Sequence, residues 1–456
     1  MQASLQLDVR RSNIGAAVRM ALPLIATSLV FCLIGVVDMA VAGWHGAAAQ
    51  AAVGVADQVI FVMVLIATGL AAATSCFVSQ SLGANRSAAA RRYALDGLWL
   101  AAAFGALSTF LLYVGAQPAM EMVGCTQPVR VLGVPYLQMC ALGNLPFMLV
   151  LVQASIFRAN NGTADCLRIW SLIAVVSIGG VIPIYFLEQS PLHHSLMALA
   201  AAWDAGALLG ALYGSFLLRS FLSGCDAWRA PTVAFLPPAR ERLLSFAQVG
   251  IPVLVSEGCY IVSLYALYAI LGKHPQSETL QAAYSVVLKI EETFGILPLV
   301  AMSSVSAAMV GRHVGAGFSE QARALGWQLA CATAGLMLVG GGLIQLGGES
   351  LARLFSNSEA LVDCVCVGTN GAMIALPVIA FAFILFACLE GAGRTALPCA
   401  AQFVGYIALR IPMAYVFSVT FGMGFVGIWL AIFVSRLAMA IFAAVMFLNA
   451  RLTKML

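Results

Sequence analysis

Charge is scarce in this chain. Of its 456 residues only 9% are Asp, Glu, Lys or Arg, against roughly 25% in an ordinary soluble domain, while 62% are hydrophobic and the mean hydropathy is +0.97. That balance excludes a water-soluble globular fold. Familiar chemical signatures are missing as well: there is no GxxxxGK[ST] phosphate loop, no glycine-rich turn between a strand and a helix, and no HExxH. The twelve cysteines are scattered singly through apolar runs, with Cys364 and Cys366 the one close pair, and the five histidines (His45, His193, His194, His274, His313) fall in loops without a carboxylate at ligand spacing. They read as packing and loop residues. No metal, no cofactor and no enzyme active site are expected.

Long apolar runs are abundant. No water is available in the bilayer core to satisfy stray backbone groups, so a crossing segment must be a helix of about 20 mostly apolar residues. Twelve such runs are present, from the first at roughly 20–43 to the last at roughly 424–448. Cytoplasmic loops accumulate Lys and Arg. With both termini inside, seventeen of the 23 basic residues fall in cytoplasmic segments, three (Arg130, Lys273, Arg353) lie on the opposite side, and Lys289, Arg410 and Arg436 lie within runs. The net charge of +4 therefore expresses this bias and implies no nucleic-acid partner. The first 19 residues are polar and basic and the apolar run after them is long enough to span, so a cleaved leader is not expected; a short surface helix is.

The chain is written twice. "TSCFVSQSLGANRSAAARR" (Thr74 to Arg92) aligns with "SVSAAMVGRHVGAGFSEQAR" (Ser304 to Arg323) at an offset of 232, pairing Gly83 with Gly315 and Arg91 with Arg323. Pro23 and Pro252, Pro146 and Pro377, and Pro183 and Pro412 follow at offsets of 229 to 231. The expected fold is an all-α integral membrane protein of twelve transmembrane helices in two pseudo-twofold-related six-helix lobes. Residues 1–218 form the first lobe, 219–245 a cytoplasmic inter-lobe linker and 246–456 the second lobe.

Against this apolar background, an ionisable residue within a run costs about 2.5–3.5 kcal/mol to insert and marks an ion or substrate pathway. Asp38 lies in the first run, Asp57 in the second, Asp204 in the sixth, Glu257 in the seventh, and Lys289, Glu291 and Glu292 in the eighth. Duplication, carboxylates within the membrane and prolines inside helices (23, 146, 183, 252, 298, 377, 412) outline a secondary transporter. Lys289 and Glu292 share a helix face and invite an ion pair, whereas Glu291 points about 160° away from Lys289, toward a neighbouring helix or across a cavity. Asp57 and Lys289 are equivalent under the 232-residue offset and carry opposite charges, which suggests a gate between the copies.

Several motifs are similar to those of the multidrug and toxic compound extrusion (MATE) family. "VVDMAVAGWHG" (Val36 to Gly46) resembles that family's first-helix Asp motif, and "ILPLVAMSSVSAAMVGRHVGAG" (Ile296 to Gly317) its eighth-helix motif. "FRANNGTAD" (Phe157 to Asp165), "LEGAGRTALP" (Leu389 to Pro398) and "GIWLAIFVSR" (Gly427 to Arg436) extend the likeness over the whole chain. The resemblance implies a V-shaped fold that exports organic cations and amphipathic compounds in exchange for protons or, second, sodium ions.

It also implies that Asp38 is the family's ion-coupling carboxylate. Some five residues from the outer end of its helix, Asp38 lies about 8 Å deep. The family's seventh-helix Glu falls at Tyr260 here, with Glu257 the available acid one turn away, and the acids of the fifth and tenth helices align with Ile178, Ile182 and Ile379. Asp38, Glu257 and Asp204 are therefore the ion-coupling candidates, Asp204 serving Asp38 in place of the missing fifth-helix acid. Glu292, Glu291, Lys289, Asp57 and Tyr260 are the candidates for a substrate cavity. A multi-pass protein of the inner membrane, surrounded by lipid and monomeric, is expected. The rival readings are a lipid-linked precursor flippase of the same superfamily, which usually carries fourteen helices and a more basic cavity, and an integral membrane enzyme, for which a clustered His, Cys or Ser constellation is wanting.

Overall fold

The computed structural model describes residues 14–123, 125–186, 192–222, 238–355 and 358–452. Every regular element among them is a helix. In chain order they are α1 (Ile14–Trp44), α2 (Ala47–Gly83), α3 (Ser87–Met122), α4 (Gln127–Ala159), α5 (Thr163–Phe186), α6 (Leu192–Leu222), α7 (Arg240–Leu271), α8 (Ser277–Gly315), α9 (Ser319–Leu346), α10 (Gly348–Phe355), α11 (Glu359–Gly391), α12 (Ala396–Thr420) and α13 (Gly424–Asn449). All but the eight-residue α10 are long and apolar enough to cross a membrane, which gives the twelve spans read from the runs. Large apolar side chains such as Phe110, Val114, Leu338 and Leu343 stand outward at more than half their full exposure, as a lipid-facing surface requires. The expected surface helix in the first 19 residues falls largely in residues 1–13, outside the described residues, and so do residues 223–237 of the expected linker.

Of the described residues, those in Leu22–Val78 and Arg86–Gly250 form one compact unit, and those in Met1–Ala21, Ser79–Asn85 and Ile251–Leu456 the other. The division cuts α2 after Val78 and α7 after Gly250, so the C-terminal end of α2 and the N-terminal end of α7 are each built into the opposite unit from the rest of their length. In the first unit the core at the site is made of small residues, among them Ala42, Ala49, Val53, Ala56, Ala116 and Ala200, closed by Leu137 and Met120. Small side chains let helix backbones approach closely, which is the main source of packing energy where lipid removes the hydrophobic drive.

The repeat survives as geometry. Asn85 and Asn161 adopt left-handed backbone (φ 60° and 62°), and the residues 232 positions later, Gly317 and Gly393, do so too (φ 84° and 79°). These are helix C-terminal caps. Gly162 N–H donates to the Phe157 carbonyl at 2.8 Å, and Arg394 N–H, 232 residues on, donates to the Leu389 carbonyl at 2.8 Å. Thr27 hydroxyl donates to the carbonyl of Pro23 (2.8 Å) and Ser256 to that of Pro252 (2.9 Å), a second copied pair.

The ends of α2 and α8 cross at their glycines. A Cβ on Gly83 would overlap the Arg312 backbone, and a Cβ on Gly315 would overlap the Gln80 backbone. Each contact is the image of the other under the 232-residue offset.

Two helices carry wide turns. In α8 the segment Glu292–Ile296 is π-helical, Leu297 N–H reaching back five residues to the Glu292 carbonyl, and Pro298 follows at once. In α12 the π-helical segment Val404–Arg410 leads into Pro412. Proline supplies no N–H and crowds the carbonyl four residues before it, so widening the preceding turn relieves the clash. The other prolines named inside helices, Pro23, Pro146, Pro252 and Pro377, sit in uninterrupted α-helix.

Candidate functional site

The first unit gathers carboxylates. Asp38 on α1 is partly buried and Asp57 on α2 is exposed, and the Asp57 carboxylate is close enough to act on Asp38. On one face of α4, Tyr136 (4% exposed) and Cys140 (4% exposed) are in electrostatic contact with each other and with both acids. Asp204, on α6, also acts on Cys140. Its carboxylate lies against Gly143 of α4, a place any side chain at 143 would fill, and both its oxygens are buried without a side-chain partner. Two carboxylates in a poorly hydrated setting repel each other, and a proton or cation taken up between them removes the repulsion. The acid that faces Asp38 is therefore Asp57. The acid seen to act on Asp38 comes from α2, while Asp204, expected to serve Asp38, acts on Cys140 of α4.

The second unit is organised around arginines. Arg436 of α13 (6% exposed) pairs with Glu291 of α8 (3% exposed) at 2.5 Å. Arg410 of α12 (4% exposed) donates from Nε to the Ser435 hydroxyl at 2.9 Å and lies over the Tyr406 ring at 4.7 Å. Tyr260, at the position of the family's seventh-helix Glu, packs edge-on against Tyr406 with ring centroids 5.6 Å apart and is in electrostatic contact with Glu291, Arg410 and Arg436. Glu291 and Arg410 each stand at the border of a wide turn. The expectation that Glu291 lines a substrate cavity is corrected: the interior of the second unit closes over it and Arg436 neutralises it. Lys289 and Glu292 form the anticipated pair at 3.0 Å, with about half of each side chain exposed. A solvated pair of this kind contributes only about 0–1 kcal/mol, and it leaves Glu292 engaged with Lys289 in place of the free charge a cation would need.

Two further acids were not singled out by the sequence reading. Glu390, near the end of α11, interacts electrostatically with Glu257 of α7; it lies inside a quoted motif but at the apparent end of a run, where acids are unremarked. Asp96 of α3 is 2% exposed and held by Arg242 at 2.5 Å and Arg92 at 3.4 Å. Arg92 lies four residues before it on the same helix, a spacing visible in sequence, but Arg242 is 146 residues away. Arg410 and Arg436 were recognisable as buried charges without a role. Among the described residues no group of three or more His, Cys, Asp or Glu side chains is placed to hold a metal ion.

A duplicated bundle of twelve spanning helices that buries acids in one unit and paired arginines in the other defines a polytopic transporter. The comparisons agree. The MatE family model matches residues 23–182 and again residues 252–416, once in each copy of the repeat. The chain belongs to the MatE family, a family of membrane transporters and not of enzymes. It is 23% identical to a probable multidrug resistance protein NorM of Agrobacterium fabrum over 96% of this chain and 94% of that protein, and 25% identical to the probable NorM of Bradyrhizobium diazoefficiens over 90% and 88%. Its fold superposes, with a TM-score of 0.85 at 19% identity over 95% of this chain and 94% of the other, on an outward-facing multidrug resistance MATE family transporter of the MOP superfamily.

Proposed function

We propose that this protein is a secondary active multidrug efflux antiporter, exporting organic cations or amphipathic compounds in exchange for protons by alternating access. The observation that carries the reading is the Asp38–Asp57 pair, backed by Tyr136 and Cys140 inside the first unit. Uptake of a proton at Asp38 removes the repulsion with Asp57, and this change in charge is what can favour one arrangement of the helices over another. Coupling requires that proton and substrate prefer different arrangements, since a ligand indifferent to both shifts nothing. Glu257, facing Glu390, and Asp204 are secondary proton-carrying groups on the same argument.

Sodium is the second choice of ion. A hard cation requires several oxygens closing on one point, and among the described residues no third acid joins Asp38 and Asp57 in such a cluster. The multidrug substrate range follows the NorM relatives, which are probable multidrug resistance proteins, and the scattered Phe and Met of this chain suit amphipathic compounds. We place it in the inner membrane with both termini cytoplasmic, acting as a monomer. Uptake of a fluorescent organic cation into proteoliposomes under imposed proton or sodium gradients tests the reading. A proton gradient is expected to drive transport and a sodium gradient to leave it at the passive rate; indifference to both would overturn it.

A further inference from the structure

We infer that the interior of the second unit holds an anion-binding site built on Arg410 and Arg436, which would take a small monovalent anion or the carboxylate of a substrate. The charge count is the first argument. Two guanidinium groups, each more than nine-tenths buried, lie near enough to repel one another, and among the described residues the one carboxylate in an ion pair with either of them is Glu291, held by Arg436. One positive charge is left over. Glu257 acts on Tyr406 but pairs with neither arginine, and Glu390 faces Glu257. An uncompensated buried charge costs several kcal/mol, so this arrangement persists only where something answers it.

Unanswered donors are the second argument. Arg410 spends Nε on Ser435 and rests its flat face on Tyr406, while its Nη2 is buried with no acceptor. Arg436 gives Nη2 to Glu291, while its Nε and Nη1 are likewise buried and unaccepted. Buried guanidinium N–H groups are almost always satisfied, and charged donors are the costliest to leave bare. Both arginines share Tyr406 and Tyr260 as neighbours, so their free donors belong to one locality. The wide turn before Pro412 ends on Arg410 itself. Turning a charged side chain inward at a widened helix segment is a construction that recurs at ligand sites.

Bromide and benzoate serve as probes, one for a free halide and one for an organic carboxylate, with full-length protein in detergent at matched ionic strength and methanesulfonate as the reference salt. Bromide is expected to raise the unfolding temperature of the wild type and to give an anomalous peak beside Arg410 and Arg436 in crystals. Arg410→Met removes the surplus charge and should weaken the anion response at least about tenfold, the scale of one charge-assisted hydrogen bond. Glu291→Gln raises the surplus and should strengthen it, the anion restoring stability that the substitution removes. A response to benzoate alone assigns the site to a substrate carboxylate, and a response to bromide assigns it to a free anion. If Arg410→Met fails to fold, Glu291→Gln and the crystal decide. Equal responses in wild type and Glu291→Gln with no anomalous peak and no effect of benzoate would overturn the site and leave the antiporter reading intact.

Discussion

Asp38 and Asp57 are nineteen residues apart on consecutive helices, and their meeting depends on the tight turn at Gly46, whose φ of 103° only glycine adopts without strain. Asp38→Asn keeps the size of the side chain and removes the titrating group. Transport driven by a proton gradient should fall by at least about tenfold, the size of a modest coupling energy, while the unfolding temperature changes little. Preserved gradient-driven transport in this variant would remove Asp38 from the coupling role. In the second unit, Arg436→Met leaves Glu291 buried without its partner and should destabilise the protein by about 3–5 kcal/mol; adding Glu291→Met should recover most of that loss, read as thermal unfolding in detergent. At this scale the sequence was informative about which residues carry charge in the membrane and silent about their partners. The Lys289–Glu292 pair was legible because three residues along a helix is a contact. Glu291 with Arg436 joins helices 145 positions apart in sequence, and Asp38 with Asp57 depends on how α1 and α2 pack. Neither relation is local.

The helices themselves were legible as apolar runs, because lipid leaves the backbone no other choice. Their ends and their wide turns were not. The spans extend beyond the apolar runs into polar caps, α1 beginning at Ile14 and α8 running for 39 residues from Ser277 to Gly315. Pro298 and Pro412 could be read as places of bending, but whether a proline kinks a helix or widens the turn before it depends on what the displaced side chains find. Here they find Arg436 and Ser435. Pro412→Ala should allow α12 to return to α-helical pitch, rotating Arg410 away from Ser435, and should lower the unfolding temperature even though it restores a backbone donor. The crossing of α2 and α8 makes a complementary case. Gly83→Val or Gly315→Val forces the crossing backbones apart and should abolish stable expression, whereas Gly179→Val, which meets nothing within 4 Å on α5, should be tolerated. Asp96 fastens the start of α7 to α3 through Arg242, so Asp96→Asn should increase hydrogen exchange over residues 240–250 without altering the rest of the first unit.

Across the whole molecule the repeat was copied as scaffold and diverged as chemistry. Left-handed caps, proline carbonyls bonded by hydroxyls and the glycine crossing recur at fixed offsets. The charges do not: Asp57 corresponds to Lys289, and Arg158 in the last turn of α4 to Glu390 in the last turn of α11. Caps and crossings are set by backbone geometry and are retained wherever the fold is retained, whereas a buried charge is free to change once its partner does. One half gathers acids around Asp38 and Asp57, and the other buries Arg410 and Arg436 beside Glu291. The central claim is that the acidic half couples export to protons through Asp38, and it is tested most directly by measuring movement of a fluorescent organic cation in proteoliposomes under an imposed proton gradient, wild type beside Asp38→Asn. Gradient-dependent accumulation in the wild type that is lost in the variant is the predicted result; accumulation that is the same in both proteins would contradict it.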